Sequence, residues 1–538
     1  MEERSKSGVW RFLPATVVGV AIALGILSLG GCMVGPDFAT PAAETSPAWI
    51  EAAQPGVRTE TARSERWWEV FHDPALTKLV ETAYAQNLTL RAAGLRVLQA
   101  QARRGIAIGG LFPQEQALDA SYTRTRRSAN TSAAALGGRN LDSWQAGFDA
   151  AWELDLWGKF RRAIESADAD LLAAVASYDD VLVSLVAEVA ANYVRLRVVD
   201  ERLAVARDNV RVQHDSLEIA RIRFEAGGTS ELDVQQATAL LKDTEATIPQ
   251  LGIQQRQTID SLAVLLGKPP TELTDLLGGE GPVPVAPAGV MVGIPADLLR
   301  RRPDVRRAEQ QAAAQSARIG VAVADLLPSF QLVGSIGLSA EDAGKLFEGR
   351  SFTASTGPAI TWQILNYGRL TNNVRLQDAT FQELAVAYAD TVLTAQREVE
   401  DALIGYLRGS EQVERLSESV AAAQRAVEIA RVQYREGATD FTSVLNAQQS
   451  KLREEDLLVS TRGAVVLNVI ALNKAFGGGW EIRNGRDFVP DATREEMRAR
   501  TDWGAVLSPE TRAADVEAAK SDVEKRAWWR GSSWGPEW

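Results

Sequence analysis

Arg223-Phe224-Glu225-Ala226-Gly227 and Gln433-Tyr434-Arg435-Glu436-Gly437 are two versions of one phrase, and their glycines lie 210 positions apart. The same offset joins Leu156-Trp157-Gly158 to Asn366-Tyr367-Gly368, Tyr178 to Tyr388, Glu188 to Glu398, and Leu266-Gly267 to Phe476-Gly477. No gap is needed anywhere in that span. An offset held so long marks two copies of one structural unit.

The unit is built around a very long helix. Between Gly158 and Gly227, Leu171, Val175, Tyr178, Leu182, Leu185 and Val189 recur at alternating steps of three and four. The seam resumes from Leu196 to Phe224 and is broken mainly by Asn192 and Gln213. No proline interrupts it. Roughly 70 residues at about 1.5 Å each predict a rod of about 100 Å, far longer than an ordinary globular helix. A return helix is predicted from Ser230 to Leu266, and the second copy repeats the pair over 368–437 and 439–476.

Upstream of each long helix lie a shorter helix and two strands. The first copy reads as helix from Leu76 to Leu111, stopping at Phe112-Pro113; the second from Ala296 to Leu327, stopping at Pro328. Here the offset is 215, as Gly105 to Gly320 and Pro113 to Pro328 show. Period-two alternation follows, apolar at Leu118, Ala120 and Tyr122, then at Trp144, Ala146, Phe148, Ala150 and Trp152. Its counterparts are Phe330–Leu338 and Phe352–Trp362. Loops between the paired strands absorb the difference in offset. Two shorter helices of about 35 residues each match the long helix in length, so stacked end to end they would accompany it along its whole course.

Composition removes several function classes. The 538 residues carry a formal net charge of −12, the wrong sign for gripping phosphates, so nucleic acid is not an expected partner. One cysteine, Cys32, excludes internal disulfides and multi-cysteine metal sites. His72 and His214 are the only histidines, and no nucleophile–base or metal-ligand set assembles around either. Neither an enzyme, a cofactor nor a metal is expected.

The N-terminus explains the cysteine. Arg4, Lys6 and Arg11 precede an apolar run, Val17 to Leu29, which ends in Leu29-Gly30-Gly31-Cys32. The run is short for a membrane span and fits a cleavable secretory signal over 1–31. Cysteine at the first mature position is similar to a lipobox, which implies covalent lipid, such as palmitate, on Cys32. No aspartate follows it, and by the lipoprotein sorting rule this favours the outer membrane. The remaining divisions are a lead-in over 32–75, repeat one over 76–267, a Pro/Gly-rich linker over 268–295, repeat two over 296–477 and a tail over 478–538.

Two strands per copy cannot close a lipid-embedded barrel, which has no free edge and needs at least about eight strands. Strands in lipid therefore require several chains: three would give twelve strands and four would give sixteen. A periplasmic coiled-coil adaptor, or a structural lipoprotein without a pore, stays open on these grounds. The adaptor would need lipoyl-like and β-barrel segments flanking its hairpins, and none is visible.

Four motifs carry a family resemblance: Cys32-Met33-Val34-Gly35-Pro36-Asp37-Phe38; Trp67-Trp68 with Phe71, Asp73-Pro74 and Leu76; Glu153-Leu154-Asp155-Leu156-Trp157-Gly158; and Ile294-Pro295 with Leu298-Leu299-Arg300-Arg301-Arg302-Pro303-Asp304-Val305-Arg306. The chain resembles an outer-membrane efflux factor of the TolC/OprM type, in its lipoprotein, NodT-like branch, over about residues 32–477. The resemblance implies a mainly α homotrimer with short β-hairpins, in which a trimeric α-barrel joins a shared twelve-strand transmembrane β-barrel. It also implies a passive conduit fed by an inner-membrane pump of the RND type through a periplasmic adaptor.

By that resemblance the helix-to-helix turns form the periplasmic entrance and meet the adaptor. The positions singled out are Arg223, Phe224, Gly227, Ser230, Leu232 and Asp233 in copy one, with Tyr434, Gly437, Thr439 and Leu445 in copy two. Relatives often carry aspartate in the stretch matching Ser443-Val444-Leu445-Asn446; here Ser443 and Asn446 keep hydrogen bonding without charge. An acidic ring would then come from Asp233 or Asp440, holding cations and repelling anions. As plain chemistry, the glycines equally suit C-caps and the acids suit helix first turns. Strand aromatics such as Trp144, Trp152, Trp362, Phe330 and Phe352 suit a membrane interface or a small sheet core. The tail shows a helical pattern from Pro509 to Ala527 and a tryptophan-rich end; packing about the waist is its expected place.

Overall fold

The computed structural model of the chain describes residues 33–60, 65–130, 140–271, 273–293 and 295–528. The signal stretch, Cys32, most of the first inter-strand loop and the last tryptophans lie outside the described residues.

In chain order the main elements are α1 (Pro74–Gln86), α2 (Leu88–Gly109), β1 (Glu115–Arg126), β2 (Asn140–Glu153), α3 (Lys159–Glu225) and α4 (Glu231–Leu265). They continue as α5 (Pro295–Arg301), α6 (Pro303–Ala324), β3 (Ser329–Ala340), β4 (Phe352–Thr361), α7 (Arg369–Arg435), α8 (Phe441–Ala475), α9 (Asp491–Arg500) and α10 (Pro509–Trp528). Both ends of α3 and α7, and both ends of α4 and α8, differ by 210; both ends of α2 and α6 differ by 215. The long helices are 67 residues each, about 100 Å at 1.5 Å per residue.

The shorter upstream helices differ from expectation, because each is broken in two. Asn87 and Arg302, equivalent under the 215 offset, both take extended backbone. Asn87 is an N-cap whose Oδ1 accepts from Leu90 N at 2.8 Å, and Pro303 at the first turn of α6 drives Arg302 out of the helical region.

Those breaks are where the return helices arrive. Asn87 Nδ2 donates to Leu265 O at 2.8 Å, and Arg302 Nη1 donates to Ala475 O at 2.6 Å. Each α4 or α8 therefore ends against the start of α2 or α6. Gly267 and Gly477 terminate the return helices at φ +69° and +68°, and a Cβ on either would stand 2.4 Å from Gln86 O or 3.1 Å from Arg302 Cα.

The four strands form one antiparallel sheet in the order β1-β2-β3-β4. Register places Tyr122 opposite Trp144, Leu118 opposite Phe148, Phe148 opposite Ile336 and Leu332 opposite Pro358. One face therefore carries Leu118, Tyr122, Trp144, Phe148, Leu332, Ile336 and Ile360, while Asp119, Gln145, Asp149, Ser335 and Ser355 lie on the other. Much of the apolar face is exposed, as at Leu118, Phe148, Ile336 and Ile360. Among the described residues strands β1 and β4 have one bonded neighbour each. Trp152 and Trp362, equivalent positions, donate from Nε1 to Leu111 O at 3.2 Å and Leu326 O at 3.0 Å, tying the strand bases to the ends of α2 and α6. Among the described residues no helix is long and apolar enough to cross a membrane.

Helix α3 is the axis of packing. Helices α2 and α4 of its own copy and α6 and α8 of the other lie against it. Helix α7 packs on α6 and α8, and among the described residues no second pair of helices stands on it as α6 and α8 stand on α3. With α1 and the tail helix also packed on α3, 31 of its residues are buried and only 12 of α7, at equal length. Val386 and Leu393 are exposed where their counterparts Ala176 and Val183 are buried.

The lead-in straps α7, with Ser46 N and Ile50 N donating to Gln396 and Glu400 at 2.8 and 2.9 Å. Its Val57–Arg58 pairs in parallel with Val290–Met291 of the linker. The tail wraps the waist, and α10 packs on α3 and α2. Buried Arg512 bonds Asp487 at 2.8 and 3.1 Å, and Asp515 accepts from Arg104 at 3.0 Å and Gln101 at 2.6 Å.

Candidate functional site

The turns at Gly227 and Gly437 are Schellman closures. Gly227, at φ +70°, donates to Phe224 O at 2.9 Å, and Gly228 donates to Arg223 O at 2.7 Å. Gly437, at φ +78°, donates to Tyr434 O at 3.0 Å, and Ala438 donates to Gln433 O at 2.8 Å. These bonds satisfy carbonyls left open at the helix ends, and glycine is chosen for its positive φ. Nothing lies within 4 Å of a Cβ built on Gly227.

The two tips lean on one another. Tyr434, 3% exposed, meets Phe441 edge-on at 5.3 Å between ring centres, and Leu217, Ala220, Ala237, Leu241 and Val444 complete the cluster. The Arg223 guanidinium sits 4.7 Å over the Tyr434 ring and donates to Gly228 O at 3.1 Å. Tyr434 OH donates to Asp233 Oδ2 at 3.1 Å, and Thr229 Oγ1 donates to the same oxygen. Burial pushes the Tyr434 hydroxyl above its ordinary value, and the Asp233 carboxylate adds to that rise.

Arg223, Asp233 and Tyr434 thus come together as one contact, and Tyr434 is core rather than surface. Gly227, Gly437, Phe224, Ser230, Leu232, Asp440, Ser443 and Asn446 are exposed, while Thr439 and Leu445 are half-buried. Asp440 caps α8, accepting from Ser443 N and Oγ at 3.2 Å each, and Thr439 Oγ1 donates to Ser443 Oγ at 3.0 Å. Both acids are engaged locally. Phe441 and Thr229 escaped the sequence reading. Phe441 could have been found as an aromatic in the first turn of α8 where copy one has Glu231.

Above the tips the seam between α3 and α8 is ionic. Buried Lys451 lies 3.3 Å from both Asp208 and Glu455, and Arg202 pairs with Asp456 at 2.7 Å. No group of His, Cys, Asp and Glu able to hold a metal occurs among the described residues.

The sequence profile described as "Outer membrane efflux protein" matches residues 79–268 and 294–478. Nodulation protein T of Rhizobium leguminosarum bv. trifolii is 32% identical over 465 residues, 84% of this chain and 96% of that protein. The toluene efflux pump outer membrane protein TtgC of Pseudomonas putida is 30% identical over 471 residues, 87% of this chain and 96% of that protein. Among solved structures, the outer-membrane channel OprN superposes with a TM-score of 0.77 at 33% identity, covering 84% of this chain and 100% of that one. The open state of the Neisseria gonorrhoeae MtrE outer membrane channel superposes at 0.70 with 26% identity, covering 84% and 99%.

Proposed function

The chain belongs to the outer membrane efflux protein family, and from that premise we propose how its geometry works. It is the outer-membrane channel component of a tripartite efflux system. The periplasmic coiled-coil adaptor, and the structural lipoprotein without a pore, lack support beside these relatives.

The conduit is a homotrimer whose twelve strands close one barrel in the outer membrane, continued below by a helical barrel. A single observation carries this reading: the chain is unfinished at both ends of its arc. Strands β1 and β4 leave ladder groups unpaired, which lipid does not tolerate. The sheet's exposed apolar face suits lipid. Helix α7 lacks the two neighbours that α3 has, and α2 and α4 of a second copy are the elements that would supply them. Exposed Phe224 is the counterpart of buried Tyr434 and would be covered by the same step.

Substrates move passively, and the chain does no chemistry; energy comes from an inner-membrane pump of the RND type, coupled by a periplasmic adaptor that docks at the tips. A lipid on Cys32 anchors the lead-in. At the tips, exposed Ser230, Leu232 and Asn446 and half-buried Thr439 and Leu445 are the adaptor-facing set. Asp233 and Asp440, besides their local bonds, give the entrance its cation preference.

Planar-bilayer recording tests the reading. The wild-type protein is expected to give stepwise, cation-selective conductance, and the Asp233→Asn/Asp440→Asn variant to conduct similarly with the preference reduced. Asparagine caps helices at 440 and keeps an acceptor oxygen for Tyr434 and Thr229 at 233, so the fold is kept. Unchanged selectivity would reduce Asp440 to a cap and Asp233 to a local acceptor, and no conductance from intact protein would remove the channel itself.

A further inference from the structure

We propose that the first mature residues are a docked latch rather than a loose tether, and that Arg162 is the positioning residue that seats them. Arg162 is 2% exposed and stands in the first turn of α3, at the base of the strands. Its Nε donates to Val34 O at 3.1 Å, and its Nη2 donates to Gly35 O at 3.2 Å and Asp37 Oδ1 at 2.8 Å. Glu165 Oε2 accepts from Nη1 at 2.8 Å. Val34 N completes the seat by donating to Trp157 O at 3.1 Å.

The groove is cut to the backbone. A Cβ on Gly158 would stand 2.9 Å from Met33 Cα, one on Gly320 2.9 Å from Val34 O, and one on Gly35 2.4 Å from Gly320 Cα. Gly35 also sits at φ +89°. Just beyond, Phe38 packs on Ala169, Ala313 and Ala314. Two glycines of the body and one buried guanidinium, all aimed at residues 33–37, describe a receptor for that segment, and Gly35 is the segment's own fit to it.

Duplication provides an internal control. The counterparts of Arg162 and Glu165 are Asn372 and Arg375, and nothing lies within 4 Å of a Cβ on Gly105, the counterpart of Gly320. The latch is therefore built once per chain. Met33 is one residue from Cys32, about 3.8 Å along the chain. Resting on the reading of Cys32 as lipidated, the latch fixes where the acyl chains leave the protein, at the strand bases between α3 and α6.

Hydrogen exchange of the full chain in lipid nanodiscs, read on the peptide covering 33–38, tests this. Arg162→Met is expected to speed exchange there about tenfold, since it removes bonds to a charged group, with the tips and α10 unchanged. Arg162→Lys is expected to fall between, and Asn372→Ala to do nothing. Should Arg162→Met not fold, Gly35→Ala, which leaves the body untouched, is expected to release the same peptide. Wild-type exchange in Arg162→Met, or in Gly35→Ala, overturns the latch. Cys32→Ser separates the two readings: retained protection supports the latch, and release by this change alone shows the lipid to be the holder and overturns it. An unlipidated wild-type mass would remove the anchor and leave the latch standing.

Discussion

Asn87 and Arg302 solve one problem with different chemistry. Both stand where an upstream helix breaks and a return helix ends, and both give a side-chain hydrogen to the last helical carbonyl, Leu265 or Ala475. Asn87 does so as a neutral cap, whose loss in Asn87→Ala is expected to cost about 1 kcal/mol. Arg302 is buried and also holds Asp304 at 2.8 Å and Glu398 at 2.7 Å, so Arg302→Met, which leaves the partly buried Asp304 carboxylate without this partner while exposed Glu398 turns to water, is expected to cost about 2 kcal/mol. Denaturant unfolding of the two variants checks the ranking. Burial disfavours charge on Asp304, yet the Arg302 bonds outweigh it and hold the carboxyl below its ordinary 3.8. The folded form therefore binds this proton less tightly. Its stabilisation is full above that ordinary value and fades as pH falls through the lower folded one. An Asp304→Asn variant should lose less stability than wild type between pH 4 and the acid limit, and equal losses would contradict it. The break at Asn87 was hard to read because Leu79, Val80, Ala83 and Leu90 keep an apolar rhythm across it. The one at Arg302 was written in its following proline.

At the scale of elements, the helix ends make the sharpest contrast. Gly227 and Gly267 have nearly the same φ, but only Gly267 has a neighbour's backbone at 2.4 Å from an added Cβ. Gly227→Ala is expected to cost about 1 kcal/mol for the left-handed backbone alone. Gly267→Ala adds a clash that must move α1 and is expected to cost about 3 kcal/mol or more. Thermal unfolding of both separates conformational from steric need, and equal costs would show the joint to be loose. The strands, the 67-residue helices and the offsets were all legible, because period and spacing survive in a single sequence. What stayed hidden was the tip contact. Tyr434 meets Phe441 across its own turn, and Arg223 over Tyr434 joins residues some 200 positions apart through a packing choice that no local pattern encodes. That contact is also unequal between copies. Gln433 and Ser443 stand where Arg223 and Asp233 stand, so the contact a second chain would make lacks the ionic members of the internal one.

The whole molecule is best understood as an arc. Duplication builds one complete seam inside the chain, between α3 and the second copy, and leaves the matching seam on α7 and the matching sheet edges open. The difference between 31 and 12 buried residues on two helices of one length reflects that incompleteness together with α1 and the tail, which cover α3. The sequence could not reveal it, since α3 and α7 share the same seam rhythm and what separates them in burial is their neighbours. The tail, opaque as a sequence, turns out to be a belt fastened by Arg512 and Asp515 at the waist. The most direct test is the native mass of the detergent-purified complex, taken on the preparation that conducts in bilayers. Three chains per particle, with Val386 and Leu393 becoming protected from solvent labelling, is the predicted result. A conducting or non-conducting monomer with those residues still exposed would contradict the account.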